Sequence, residues 1–402
     1  MKKMILLMMA FVIMFSLSAC GNTSGEKMPE TMSNTETKTK ENVETSIEQT
    51  FAPLKIAIVS GPSGINDGSF NQDIYEGVLA YVEKSPGSSV TSIVGNDEKT
   101  ETANRLVADI VEEYEVIVCC GYQFEGIAAT AQNNPDKKFI LVDAFLKDTE
   151  GNDIELENVY AMQFAEQESG FFAGMAAALE TKTGKVAVIN GFAFPSNVNY
   201  QYGFECGVKY VNETEGKQVA VVEMPAFAGT DMTGADVGGN YIGSFSDELT
   251  GRLLANSLIA KGCDVLFVAA GKSGQGVFEA VKYAEDVKVI GSDVDQFDDG
   301  IFGKENIVLT SVLKIMHLNV EKQLYAINDG DFKGGNVILY ADTDSTGYVS
   351  DPKRCQLSKE TIEKMNVAYD LIKNGTIAPA ANFNGVTPED FTTKTVEEAE
   401  QK

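Results

Sequence analysis

The sequence predicts an α/β fold made of two units, each a parallel sheet flanked by helices. Three observations carry this. Short apolar runs alternate with helix-period segments nearly throughout, the alternation restarts midway along the chain, and several apolar runs end in turns bearing Gly, Asp or Asn.

In the first unit, "LKIAIVS" (54–60) reads as a buried strand and "QDIYEGVLAYVEK" (72–84) as a helix, joined by the turn "NDGSFNQ" (66–72). A strand (88–95), a helix (99–114), the strand "EVIVCCG" (115–121), a helix (124–134) and the strand "KKFILVDA" (137–144) follow. "NVYAMQF" (158–164) leads into the second unit: helix 166–181, strand 184–191, helix 200–212, strand 218–224, helix 247–261, strand "CDVLFVAAG" (263–271), helix 276–284 and strand 287–293. The rest reads as a strand (305–314), a helix ending near 332, a strand and turn (336–350) and a helix (358–375). No internal repeat has a clear period.

Two such units joined by chain crossings resemble a two-lobed, periplasmic-binding-protein-like (type I) fold. The expected lobes are 53–164 plus 293–330, and 165–292 plus 331–390, with 391–402 a flexible tail. In open parallel sheets the ligand crevice lies beyond the carboxyl ends of the strands. That rule selects the turns 61–71, 121–124, 143–145, 191–197, 271–276 and 293–296.

The chain start sets the compartment. "MKK" is a basic n-region, "MILLMMAFVIMF" an apolar core, and "LSAC" (17–20) a small-residue cleavage site. Cys after such a site resembles a bacterial lipobox, so 1–19 is expected to be a signal peptide and Cys20 the lipidated residue. The apolar run is shorter than the roughly 20 residues of a spanning helix. Residues 20–52, rich in Thr, Glu, Lys, Asn and Ser, read as a disordered tether. The expected location is the extracytoplasmic face of the cell membrane, held by lipid.

Composition excludes several classes. A net charge of −27 argues against nucleic acid and anionic surfaces as partners. Three arginines (Arg105, Arg252, Arg354) give little material for a bidentate phosphate clamp. One histidine, His317, rules against a His-based triad or His-rich metal centre and reads as a structural residue near a helix start. Cys119, Cys120, Cys206, Cys263 and Cys355 show no metal-ligand spacing and read as buried thiols. "GKSGQG" (271–276) is not a phosphate loop, because that motif needs Gly where Leu266 stands. The sequence calls for no cofactor and no metal.

Several turns together carry a resemblance. "DGSFNQ" (67–72), "EQESGFFAG" (166–174), "YIGSFSD" (241–247), "DVLFVAAGKSGQGVFEA" (264–280), "VIGSDVDQ" (289–296) and "VLTSVLK" (308–314) resemble the basic membrane protein family, over essentially 54–375. These are substrate-binding lipoproteins of ABC transporters whose best-understood members are purine nucleoside receptors. The resemblance implies capture of a nucleoside (guanosine, inosine or adenosine) between the lobes, delivery to an ABC permease and its ATPase, no catalysis, and a monomer.

It also implies roles. Phe70 would stack on the base and Asn71 meet its edge, with Asp67 in the same turn. The facing ring would be Tyr241, with Phe245 the alternative. Asp143 would read the base, or else cap a helix N-terminus. Asp293 and Lys314 would hold the ribose by charge-assisted bonds. Gly271 would let backbone amides approach the ligand. Many members carry an Asp where this chain has Gly61, which leaves the sugar contact open and keeps a flat ligand such as riboflavin in view. A sensor or surface protein on the same fold, and an extracellular hydrolase, are the competing classes.

Overall fold

Apolar runs of five or six residues can be buried on both faces only if helices cover both sides of the sheet. The computed structural model, which describes residues 52–392, is built on that constraint. The expected signal peptide (1–19), Cys20, nearly all of the tether and most of the tail lie outside the described residues. Among the described residues, no helix is long and apolar enough to cross a membrane.

The chain runs through β1 (Lys55–Ser60), α1 (Phe70–Lys84), β2 (Ser89–Val94), α2 (Thr100–Ile110), β3 (Val116–Cys120), α3 (Ala128–Asn133), β4 (Lys138–Val142) and β5 (Val159–Phe164). It crosses at Ala165 into α4 (Glu166–Glu180), β6 (Lys185–Asn190), α5 (Pro195–Glu215) and β7 (Ala220–Val221). A small ribbon, β8 (Gly229–Thr230) and β9 (Asp236–Gly238), precedes α6 (Glu248–Ala260), β10 (Val265–Ala269), α7 (Ser273–Lys282) and β11 (Lys288–Gly291). A second ribbon, β12 (Ile301–Phe302) and β13 (Glu305–Asn306), leads to β14 (Val308–Lys314). The chain returns through α8 (Met316–Asp329) and β15 (Gly335–Leu339), then crosses again to β16 (Thr346–Tyr348) and α9 (Lys359–Lys373).

Two six-stranded sheets result. The first has the order β15-β5-β4-β3-β1-β2 and is parallel throughout. The second has the order β16-β14-β11-β10-β6-β7 and is parallel except for its antiparallel edge β16. Central strands β3 and β10 are buried along their whole length, while no residue of the edge strand β2 is fully buried and half of them are Ser or Thr.

The expected lobe boundaries need correcting at two places. β14, expected in the first lobe, pairs with β11 in the second sheet; β15, expected in the second lobe, pairs with β5 in the first. From the segment 293–330, α8 is the element that belongs to the first lobe, where Asp73 of α1 accepts hydrogen bonds from the backbone N–H of Met316 (3.1 Å) and His317 (2.9 Å). The crossings therefore fall at Ala165, Ile315 and residues 340–345. Buried strands look alike whichever neighbour they pair with, so run length alone places them in neither sheet. The expected strand 218–224 forms only the two-residue β7. Phe70, expected inside the turn, opens α1.

The three crossings are tied side by side. Ala165 N–H donates to Leu339 O (2.9 Å), Ile315 N–H to Ser345 O (2.9 Å), and Ser169 Oγ to Leu313 O (2.7 Å). Glu168, 7% exposed, accepts from Ala341 N–H (2.8 Å) and Thr346 Oγ (2.6 Å). Burial pushes its carboxyl up to about 7, against the pull of those two bonds. The folded state thus holds a proton that the unfolded chain, near its ordinary 4.5, releases earlier; the stability this gives at low pH is lost as pH rises through about 7. Glu168→Gln keeps an acceptor for both donors and should be more stable than wild type by about 1–3 kcal/mol at pH 8. The gain should shrink toward nothing at pH 4.5. Urea unfolding at the two pH values measures it, and an equal difference at both would sink the account.

Candidate ligand-binding site

The carboxyl ends of both sheets face one cavity enclosing about 600 Å³ of space free of atoms, mouth included. Gly61, Ser63, Asp67, Phe70, Asn71, Glu98, Cys120, Gln123 and Asp143 line it from the first lobe. Phe194, Asn197, Tyr200, Phe245, Gly271 and Asp293 line it from the second, with Lys314 at the joint.

Lys314 is 1% exposed and stands at the end of β14, immediately before the crossing to α8. Its ammonium contacts Asp143 Oδ2 directly and lies 2.9 Å from Glu166 Oε1. It also sits 5.0 Å from the centre of the Phe70 ring and 5.4 Å from that of Phe164. Burial works against the charged lysine, but Asp143, Glu166 and Asp293 hold its proton affinity above the ordinary value. Asp143 feels the opposite balance: burial pushes it up to about 7 while the lysine draws it down. Its second oxygen, Oδ1, is buried with no hydrogen-bond partner. Asp143 caps no helix, since none begins there.

Asp143 and Asp293 both follow strand ends with left-handed backbone, φ 65° and 69°. Asp tolerates that conformation better than most residues, and it bends the chain sharply at the cleft wall. Asp293 accepts from Tyr200 Oη (2.8 Å) and, across the cleft, from Ser69 Oγ (2.5 Å). Gln296 Nε2 donates to Gly68 O (3.0 Å), a second bond between the lobes.

Asp67 lines the cavity, but its oxygens serve the turn. Oδ1 accepts from Ser69 N–H and Gln72 N–H, and Oδ2 from the Asn71 N–H and side-chain amide. It is therefore a local brace at the start of α1 and has little capacity left for a ligand. Asn71 gives its amide hydrogens to Ser63 and Asp67. Phe70 is half-buried, with one side on the first-lobe core.

Tyr241 does not reach the cavity. Its hydroxyl donates to Gln201 Oε1 (2.6 Å), and its ring packs against Gly229, Ala193 and Val198 at 6% exposure. An isolated bridge to Asn190 extends the β6 edge and turns that ring inward. Phe245, the alternative, lines the cavity instead, clustered with Phe192 and Phe194 at ring separations of 5.3–5.7 Å. Gly191 makes this cluster fit, because a Cβ there would lie 2.2 Å from the Phe245 ring. Gly271 abuts Phe245 from the other side.

Phe194, Tyr200, Asn197, Gln123 and Glu98 were not singled out from the sequence. Phe194 and Asn197 lie inside the turn 191–197, and Gln123 inside the turn 121–124, that strand-end geometry selects; Tyr200 and Glu98 carry no motif. Among the described residues no cluster of His, Cys, Asp and Glu is arranged to hold a metal. Burial keeps the Cys120 thiol far above its ordinary value, which leaves it protonated and unreactive.

Two lobes hinged at three crossings, with a lined cleft between them, define a substrate-binding-protein architecture. A solute-binding protein of an ABC transporter system from Aeropyrum pernix K1 superposes with a TM-score of 0.62 at 23% identity, covering 84% of each chain. The chain belongs to the Bmp family, described as ABC transporter substrate-binding protein PnrA-like, whose sequence model matches residues 55–232 and 233–380. It is 32% identical over 303 residues to the ABC transporter nucleoside-binding protein BmpA of Lactococcus lactis, covering 71% of this chain and 78% of the relative. It is 27% identical over 323 residues to basic membrane protein A1 of Borrelia garinii, covering 78% and 85%. As an ABC-transporter substrate-binding protein it works outside the cytoplasm, with a small-molecule ligand and a permease as partners.

The buried triad yields a stability test. Lys314→Met keeps the aliphatic stem but leaves Asp143 and Glu166 facing each other without a cation. Urea unfolding at pH 8 should record a loss of about 3–5 kcal/mol. A loss below about 1 kcal/mol, within the range of an exposed pair, would mean the ammonium is not the element holding these carboxylates.

Proposed function

We propose that the protein captures a purine nucleoside (guanosine, inosine or adenosine) in the cleft and hands it to an ABC permease driven by its ATPase. It acts as a monomer tethered to the extracytoplasmic membrane face through lipid on Cys20. One observation carries the ligand class: aromatic rings from both lobes, Phe70 on one and Phe194 with Phe245 on the other, line the same cavity as a buried carboxylate oxygen of Asp143 that lacks a donor. A flat heterocycle with N–H groups at its edge meets both needs. The Lactococcus relative, whose name records nucleoside binding, supports the reading.

The electrostatics favour an uncharged guest. Asp143 and Glu166 already neutralise the Lys314 ammonium, and Asp293, Asp67 and Glu98 add negative charge to the lining. A phosphate would find repulsion and no free cation in that lining. Asp293, fixed by Tyr200 and Ser69, is oriented to accept from sugar hydroxyls. The lobes open and close about the crossings at 165, 315 and 340–345, and the ligand favours closure only through contacts it makes to both lobes.

Calorimetric titration of ligand-stripped, unlipidated protein with guanosine, inosine, adenosine, cytidine, ribose and riboflavin tests this. Purine nucleosides should bind tightest; heat only with riboflavin, or with none of these, would remove the proposal. Phe70→Leu, which keeps an apolar side chain on the core but removes the stacking ring, should weaken purine nucleoside binding by about 1–3 kcal/mol with a much smaller loss of unliganded stability. A matching loss of unliganded stability would mark the ring as packing.

A further inference from the structure

Glu98 lies in the loop between the edge strand β2 and α2, in a polar segment with no recognisable motif, yet it lines the cavity. Its carboxylate has entered space that belongs to another residue. A Cβ on Gly61 would lie 2.3 Å from Oε2 and 2.5 Å from Oε1, so this side chain occupies the cavity wall only because residue 61, at the end of β1, has no side chain.

The other lining carboxylates are engaged. Asp67 is consumed by its turn, Asp143 gives one oxygen to Lys314, and Asp293, held by Tyr200 and Ser69, keeps lone pairs for one further sugar hydroxyl. Glu98 accepts no hydrogen bond from the described residues, and the neighbouring charge it feels is repulsive, from Asp97. Burial, reinforced by Asp97, pushes its carboxyl up to about 7, as expected of a carboxylate partly withdrawn from water with no donor among the described residues. Its oxygens therefore keep their open side toward the ligand cavity that Glu98 lines.

We propose that Glu98 binds the sugar of the ligand, its two oxygens accepting hydrogen bonds from vicinal hydroxyls. A carboxylate offers two parallel acceptors at a spacing that suits a diol, whereas the single free oxygen of Asp143 suits one N–H. The sheet order β4-β3-β1 puts two strand spacings, roughly 10 Å, between Asp143 and the Gly61 position that Glu98 covers. One nucleoside spans that distance from base edge to sugar. The inference rests on the nucleoside reading and adds to it a specificity-determining residue delivered from a separate loop.

The test titrates wild type, Glu98→Gln and Gly61→Ala with the tightest-binding nucleoside, its 2′-deoxy and 3′-deoxy analogues, and the free base. Gly61→Ala leaves Glu98 in the chain but forces its carboxylate out of the wall, so it guards against a defect peculiar to the first variant. Both variants should bind the ribonucleoside at least tenfold more weakly, and the deoxy analogue and free base within threefold of wild type. Unliganded melting temperatures should hold or rise, since Glu98→Gln removes an unpaired acid. Unchanged affinity, or a drop of equal size for all ligands, would overturn the role of Glu98 alone. Failure of the wild type to bind any nucleoside would overturn both this role and the reading beneath it.

Discussion

The ammonium of Lys314 sits where three parts of the chain meet: the end of β14, the start of α4 through Glu166, and the end of β4 through Asp143. Burying one cation between two acids costs desolvation that their attraction roughly offsets, so the triad adds little net stability. Its value is geometric. The cation ties the first sheet to two of the interlobe crossings and lies against the Phe70 ring. Cleft wall and hinge thus share one electrostatic node, and neither can be rebuilt without the other.

The same node explains the character of the cleft. A cation already claimed by two acids has no charge to offer a guest, and every other charged residue of the lining is acidic. Recognition must then come from stacked rings and hydrogen bonds, which report the shape and edge pattern of a neutral molecule. The overall acidity of the chain and the lining therefore act in the same direction.

Much of the architecture was legible because buried parallel strands write themselves as short apolar runs. The strand-end rule selected the turns holding Phe70, Asn71, Asp143, Gly271 and Asp293, the family resemblance added Lys314, and all six line one cavity. What escaped was partner choice. β14 and β15 read correctly as strands but in the wrong sheets, since a run buried on both faces carries no record of its neighbour. Tyr241 and Phe245 lie four residues apart in one irregular segment, and a single bridge to Asn190 decides which ring turns inward. Glu98 escaped for a different reason: its role is written partly at residue 61, as an absence.

The left-handed backbone at Asp143 and Asp293 bears on how such clefts can drift. Among common side chains, Asn shares the ability to sit there at small cost, and Gly can do so freely; branched or bulky residues cannot. Neighbouring genotypes reachable without distorting the wall are thus confined to neutral amide or nothing at all. Diversification of ligand preference in this scaffold should therefore concentrate at positions with ordinary torsions, such as 98, 194 and 245, while the two kinked acids act as a frozen frame.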